Sequence, residues 1–181
     1  MEMKEFTIPF VGLKLGKHSF SFEITKTFFN HFEYEDFNES NIKLDVVLDK
    51  KSTLLEITLS YRGFVNVYCD VTNEPYNLDV SGDYHFVVKF GNEYNSDNED
   101  LLIIPHGSYE VNIQQYIYES IILGLPTRKV HPGVKDGTLK SDILDKLEEL
   151  SLKEEEESKD SKKSEKTDPR WDTLKKLLTD K

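Results

Sequence analysis

Leu55-Glu56-Ile57-Thr58-Leu59-Ser60-Tyr61-Arg62-Gly63-Phe64-Val65-Asn66-Val67-Tyr68-Cys69 is the stretch whose reading decides the fold. Leu55, Ile57, Leu59, Tyr61, Val65, Val67 and Cys69 share one parity with Gly63, whereas Glu56, Thr58, Ser60, Arg62 and Asn66 take the other. Successive side chains of a strand point to opposite faces, so this pattern predicts one long strand with one face buried. A second run follows, with Tyr76, Leu78, Val80, Tyr84, Phe86, Val88 and Phe90 in line with Gly82, against Asn77, Asp79, Ser81, Asp83, His85 and Lys89. Two such strands separated only by Asp70 to Pro75 read as an antiparallel hairpin. Setting Cys69 opposite Tyr76 keeps the parity consistent and brings Gly63 opposite Gly82, which predicts a sharp bend.

Working outward, three earlier segments extend the sheet: Phe6, Ile8 and Phe10; His18, Phe20, Phe22 and Ile24; and Ile42, Leu44, Val46 and Leu48, turning at Asp49-Lys50-Lys51-Ser52. Between Thr25 and Phe37 the period changes, and Phe28, Phe29 and Phe32 predict a short helical turn packed on the sheet. Gly91 to Asp100 reads as a polar, acidic loop without the glycine and glutamate register of a calcium-binding EF-hand. The main helix is expected from Asn112, with Asn112 and Gln115 at capping-box spacing and Val111 and Tyr116 as a hydrophobic staple. Its apolar face is Ile113, Tyr116, Ile117, Ile121 and Gly124, and Gly124 with Pro126 ends it. A further helix is expected from about Ser141 to Leu150, striped by Ile143, Leu144, Leu147 and Leu150.

The expected class is therefore α+β: a curved antiparallel β-sheet or partly closed barrel with a packed amphipathic helix, occupying residues 1–150. Residues 151–167 are nearly all Glu, Lys, Ser and Asp, too little apolar surface to offset ordering entropy, and predict a charged tether. Such a tether would span roughly 20 to 24 Å. Residues 168–181 predict a short amphipathic helix, with Asp168 as N-cap, Pro169 at the first position, Trp171, Leu174 and Leu178 on one face, and Arg170, Lys175 and Lys176 beside it. Arg170, Trp171, Leu174, Lys175 and Lys176 are the candidate partner-binding residues, a weakly bound helix held near a second site by its tether.

Charge narrows the function. Of 34 acidic and 23 basic residues, residues 151–181 hold nine of each, so the net −11 lies wholly in residues 1–150. Phosphate binding needs Lys and Arg to displace counterions, so broad nucleic-acid binding is a poor fit for an acidic domain. Arg128, Lys129, His131 and Lys135 form the candidate RNA-binding cluster. No apolar stretch approaches the roughly 18 to 20 residues that span a bilayer, and no signal-peptide region is apparent, so a cytoplasmic protein is expected. Nucleophile-elbow, Walker, dinucleotide and zinc-protease motifs are missing, and His18, His31, His85, His106 and His131 lack ligand spacing. The single Cys69 sits on the apolar parity, where a free cysteine serves packing, even with His85 as a conceivable base. The expectation is a non-enzymatic protein with no catalytic residue, metal or cofactor.

Three motifs in order resemble the bacterial large-ribosomal-RNA accumulation protein family, YceD. They are Cys69-Asp70-Val71-Thr72-Asn73-Glu74-Pro75 between long strands, Glu119 to Leu125-Pro126 followed by Val130-His131, and Asp168-Pro169-Arg170-Trp171. The resemblance runs from about Leu13 to Leu178. Cys69, Pro75, Glu119, Leu125, Pro126, Asp168 and Pro169 are its motif residues. Many members carry a second cysteine where this chain has Thr72, which weakens any zinc or redox role at that hairpin. The resemblance implies a role in synthesis, processing or stability of large-subunit rRNA and implies no catalytic residue. The expected partners are that rRNA or a precursor ribosomal particle, and the acidic charge of the domain favours a basic ribosomal protein. A general adaptor or chaperone and a small-ligand carrier with a closed barrel interior are the rival classes.

Overall fold

Alternation governs the architecture. The computed structural model describes residues 3–98 and 100–150. Its main sheet contains β2 (Gly16–Thr25), β3 (Glu39–Lys50), β4 (Leu54–Tyr68), β5 (Pro75–Gly91), β6 (Asn95–Asn98) and β7 (Leu101–Pro105), in the order β2-β3-β4-β5-β7-β6. Leu55, Ile57, Leu59, Tyr61, Val65, Val67 and Cys69 are all buried, as are Ile42, Leu44, Val46 and Leu48, so the parity assigned from the pattern is the core face. Rows run straight across it: Phe22, Leu44, Tyr61 and Gly82 are successive partners, then Phe20, Val46, Leu59 and Tyr84. Each fully buried Leu or Ile stabilises by roughly 1.5–3 kcal/mol relative to exposure, so these rows dominate the core.

The hairpin register differs from the expected one by two residues. Val67 pairs with Tyr76, and the glycines do not face each other: Gly63 lies opposite Val80 and Gly82 opposite Tyr61. The turn sits one residue earlier than expected, over Cys69 to Glu74 instead of Asp70 to Pro75. Asn73 adopts a left-handed φ of 57°, which asparagine tolerates, its N–H donates to the Cys69 carbonyl at 2.8 Å, and the Cys69 N–H donates to the Glu74 carbonyl at 2.9 Å. A shift of two preserves every face.

Other segments depart further. The sheet is open among the described residues, with β2 and β6 as its edges, so it is a curved sheet and not a closed barrel. The Phe6-Ile8-Phe10 segment does not join the main sheet; β1 (Thr7–Pro9) pairs antiparallel with β8 (Glu110–Asn112) in a separate ribbon. That ribbon lies over the core, with Phe6 5.5 Å from Phe22 and Phe10 5.8 Å from Phe90 between ring centres. The polar loop after β5 contains the exposed strand β6, and β7 pairs parallel with Val87 to Gly91 of β5. Leu101-Leu102-Ile103-Ile104, an apolar run too short to show a period, becomes the strand that fills the place between β5 and β6.

α1 (Lys26–His31) forms where the period changes, and buries Phe28 and Phe29 as expected. α2 (Gln114–Leu123) buries Tyr116, Ile117 and Ile121. Its capping differs: Asn112 ends β8, its Oδ1 accepts the Gln114 N–H at 2.9 Å and its amide donates to Thr7 Oγ1, while Gln115 reaches forward to Glu119. The two helices meet through aromatic rings, Phe32 stacking on Tyr118 at 4.2 Å and 12°. The chain divides between His131 and Pro132 into two compact units. The second begins with α3 (Pro132–Lys135), followed by a helix over residues 142–150. The Ser141 carbonyl accepts the Leu144 N–H there, and Ile143, Leu147 and Leu150 stand exposed. The tether of 151–167, the helix of 168–181 and the residues Arg170, Trp171, Leu174, Lys175, Lys176, Asp168 and Pro169 lie outside the described residues.

Candidate functional site

Two places gather functional side chains in the first unit. At the β4–β5 turn, the segment after α2 returns and is strapped down. Asp70 N–H donates to the Lys129 carbonyl at 2.8 Å, the Lys129 N–H donates to Asp70 Oδ2 at 2.5 Å, and the His131 N–H points at Cys69 Sγ at 3.3 Å. The His131 ring stands edge-on to Tyr76 at 5.2 Å. Burial pushes the Cys69 thiol up, but the donors around the sulfur outweigh it, so the thiol lies below its ordinary value. Thr72 is buried and its hydroxyl has no hydrogen bond of ordinary geometry among the described residues, which leaves the His131 N–H as the principal donor to the sulfur. Cys69 is 2% exposed and is a packing and acceptor residue; His85 pairs with Thr58 farther along the hairpin and is not beside it.

Of the candidate RNA-binding residues, Arg128, Lys129 and His131 belong to the first unit and Lys135 to the second. Arg128 is exposed and Lys129 and His131 are half-buried, their backbone fixed by the strap, whereas Lys135 is exposed at the end of α3. Pro75 opens β5 opposite Tyr68, Glu119 sits on the exposed side of α2, and Leu125 and Pro126 form the turn that carries the chain from α2 to the strap. No group of three or more His, Cys, Asp and Glu able to hold a metal occurs among the described residues.

The second place is a groove of about 1120 Å³ between α2, β5 and the β5–β6 connection. Tyr61 positions its floor. The Tyr61 hydroxyl donates to the Ser120 carbonyl at 2.8 Å, fixing the end of α2 to the middle of the sheet. Gly82 and Gly124 are glycines because the ring occupies the space between them: a Cβ would stand 2.6 Å from the Tyr61 hydroxyl at Gly82 and 2.3 Å from it at Gly124. Gly124 has ordinary right-handed φ and ψ, so close approach, not backbone freedom, explains it.

Tyr84, Tyr94, Tyr116 and Tyr118 line the same groove with Asp83 and Glu119, and none of its lining residues is Lys, Arg or His. Tyr116 stacks on Phe86 at 4.1 Å and 14°, is 7% exposed, and its hydroxyl has no hydrogen-bond partner among the described residues. A buried hydroxyl in that condition costs about 1–3 kcal/mol. Burial, with Tyr94, Tyr84 and Glu119 nearby, pushes Tyr116 up to about 12, so it stays a neutral phenol. β5 is covered by β7 only at Val87 to Gly91, and at Ser81 to Asp83 no strand lies on that side among the described residues. The sequence reading missed this groove because its walls come from separated segments; the pairing of Tyr116 and Tyr118 with Glu119 on one helix was the available signal.

The first unit is therefore a strapped, open-sheet domain with an acidic, tyrosine-lined groove. The chain belongs to the family of the large ribosomal RNA subunit accumulation protein YceD, whose model matches residues 57–178, two thirds of its length. The family's description ties it to accumulation of large-subunit rRNA. No curated protein and no solved structure matches the chain. No helix among the described residues is long and apolar enough to cross a membrane.

Proposed function

We propose that this chain is a non-catalytic assembly factor of the large ribosomal subunit that supports its rRNA by binding a basic ribosomal protein in the cytoplasm. The observation that carries the reading is electrostatic. Residues 1–131 hold 20 Asp and Glu against 11 Lys and Arg, and the groove of this unit is lined by carboxylates and phenols without a cation. Ribosomal proteins are strongly cationic, and complementary fields speed and orient their association with such a surface. The tyrosines and carboxylates of the groove serve recognition, not bond cleavage. Direct contact with rRNA falls to the exposed Arg128 and to Lys129, presented together by the strap.

Crosslinking in cells, with sequencing of attached RNA and mass spectrometry of attached protein, tests the reading, together with co-sedimentation on precursor large-subunit particles. A basic ribosomal protein as the main crosslinked species is expected. Recovery of unrelated proteins, with no association with precursor particles, would favour a general adaptor and overturn it.

A further inference from the structure

We infer that the groove between α2 and the uncovered edge of β5 takes an extended, arginine- or lysine-bearing polypeptide segment as an added strand. The inference rests on the basic-client reading and deepens it by naming the site and the form of the ligand. Three independent features converge. The first is the edge: β7 stops at Val87, so the backbone of Ser81, Gly82 and Asp83 has no strand on its outer side among the described residues. An edge of this kind is a template for another chain, and strand addition is a recurring mode of peptide recognition.

The second is charge. Asp83 at the edge and Glu119 on the facing helix are the two ionisable carboxylates of the groove, with no cation among the lining residues. An anionic ligand such as an RNA phosphate meets only repulsion here, whereas a guanidinium or ammonium meets two carboxylates. The third is aromatic surface. Tyr94 is 63% exposed and Tyr84 and Tyr118 are half-buried, and a cation held over such a ring is attracted to it, arginine most often. Tyr116 also brings a buried hydroxyl without a hydrogen-bond partner among the described residues, a donor and acceptor open to a ligand. Along an added strand alternate side chains point the same way, so basic residues at every second position would all face Glu119 and the tyrosines.

The test uses the full chain and a synthetic peptide in which arginine and threonine alternate, titrated calorimetrically, with amide hydrogen exchange followed at Ser81 and Asp83, whose N–H groups share the outward side with that of Val87. Binding with increased protection at Ser81 and Asp83 is expected. Asp83→Asn with Glu119→Gln should weaken binding by about tenfold or more. The charge-matched control Glu23→Gln with Asp45→Asn, on β2 and β3 away from the groove, should change it by no more than about twofold, since exposed distant charges are screened. Equal losses in the two variants would reduce the effect to net charge and overturn the proposal, as would equal binding of the glutamate-for-arginine peptide or of single-stranded oligouridine. Arg170→Ala/Lys175→Ala/Lys176→Ala should leave the resonances of the groove tyrosines in the free protein unchanged; a shift would make the chain's own C-terminal segment the occupant and overturn the separate ligand. Failure of peptide binding while the basic ribosomal protein still crosslinks in cells removes the groove and leaves the proposed function standing.

Discussion

Tyr61 and Gly82 face each other across the β4–β5 ladder, and the tyrosine ring fills the space where a side chain at Gly82 would be. The hydroxyl then goes on to Ser120, so one residue joins the middle of the sheet to the end of α2. Gly82→Ala should cost about 1–3 kcal/mol through overpacking. In a Tyr61→Ala background the same change should cost markedly less, a coupling that chemical denaturation of the four proteins of a double-mutant cycle measures. Additive losses would mean that Tyr61 is not the obstacle.

Gly63 presents the opposite case. A Cβ there would stand 2.2 Å from the Asn41 carbonyl oxygen and 2.6 Å from Ile42 Cα, both backbone atoms of the neighbouring strand. No side-chain truncation relieves that contact. Gly63→Ala should cost about 3 kcal/mol or more, with loss of soluble protein at growth temperature, and Tyr61→Ala should not rescue it. Equal melting temperatures of wild type and Gly63→Ala would show the strands more yielding than drawn.

Cys69→Ala removes the acceptor of the His131 N–H as well as a buried sulfur. A cost of about 1–3 kcal/mol is expected, larger than a packing change alone, with Cys69→Ser less damaging because its oxygen can accept. Asp70→Ala should cost about 1.5–3 kcal/mol and should abolish exchange protection at the Lys129 amide, leaving the central β4–β5 ladder protected. Retained protection at Lys129 would place the anchor of the strap elsewhere.

Alkali should unfold the protein in a defined window. Tyr34, through burial and then Asp36, and Tyr116, through burial and then Tyr94, are each pushed up to about 12, from 10.0 as ordinary phenols. Tyr61 and Tyr76 are raised as well, burial being the main cause for both. The folded state therefore holds protons that the unfolded chain releases. The stability from these groups is fully present below pH 10.0 and is lost as pH rises toward about 12. Tyrosinate absorbance and circular dichroism should change together there, and Tyr116→Phe should move the midpoint upward.

Tyr116→Phe also separates folding from recognition. Deleting a buried hydroxyl that lacks a partner should stabilise the fold by about 1 kcal/mol, or leave it unchanged, while weakening the alternating arginine peptide. Thermal denaturation and calorimetric titration of the same variant check both halves, and a loss of stability would show that the hydroxyl already has a partner in the fold.

The face taken by each residue from Leu55 to Phe90 was determined by the sequence itself, because alternation has a period of two and survives any shift of register by two. The same holds for the buried side of α2, where Ile113, Tyr116, Ile117 and Ile121 repeat at helical spacing. Which residue faces which was decided only in the tertiary structure: the β4–β5 turn with its left-handed Asn73 set Gly82 opposite Tyr61, the β3–β4 ladder set Gly63 opposite Ile42, and the two glycines have two different reasons to exist. The pairing of β1 with β8 and the insertion of β7 beside β5 bring together segments distant in the chain, so no local pattern reports them. The groove follows from those pairings. Its tyrosines and carboxylates are visible in the sequence as separate residues, but their convergence depends on where β7 ends and on how α2 is held by Tyr61, and both are properties of the packed chain.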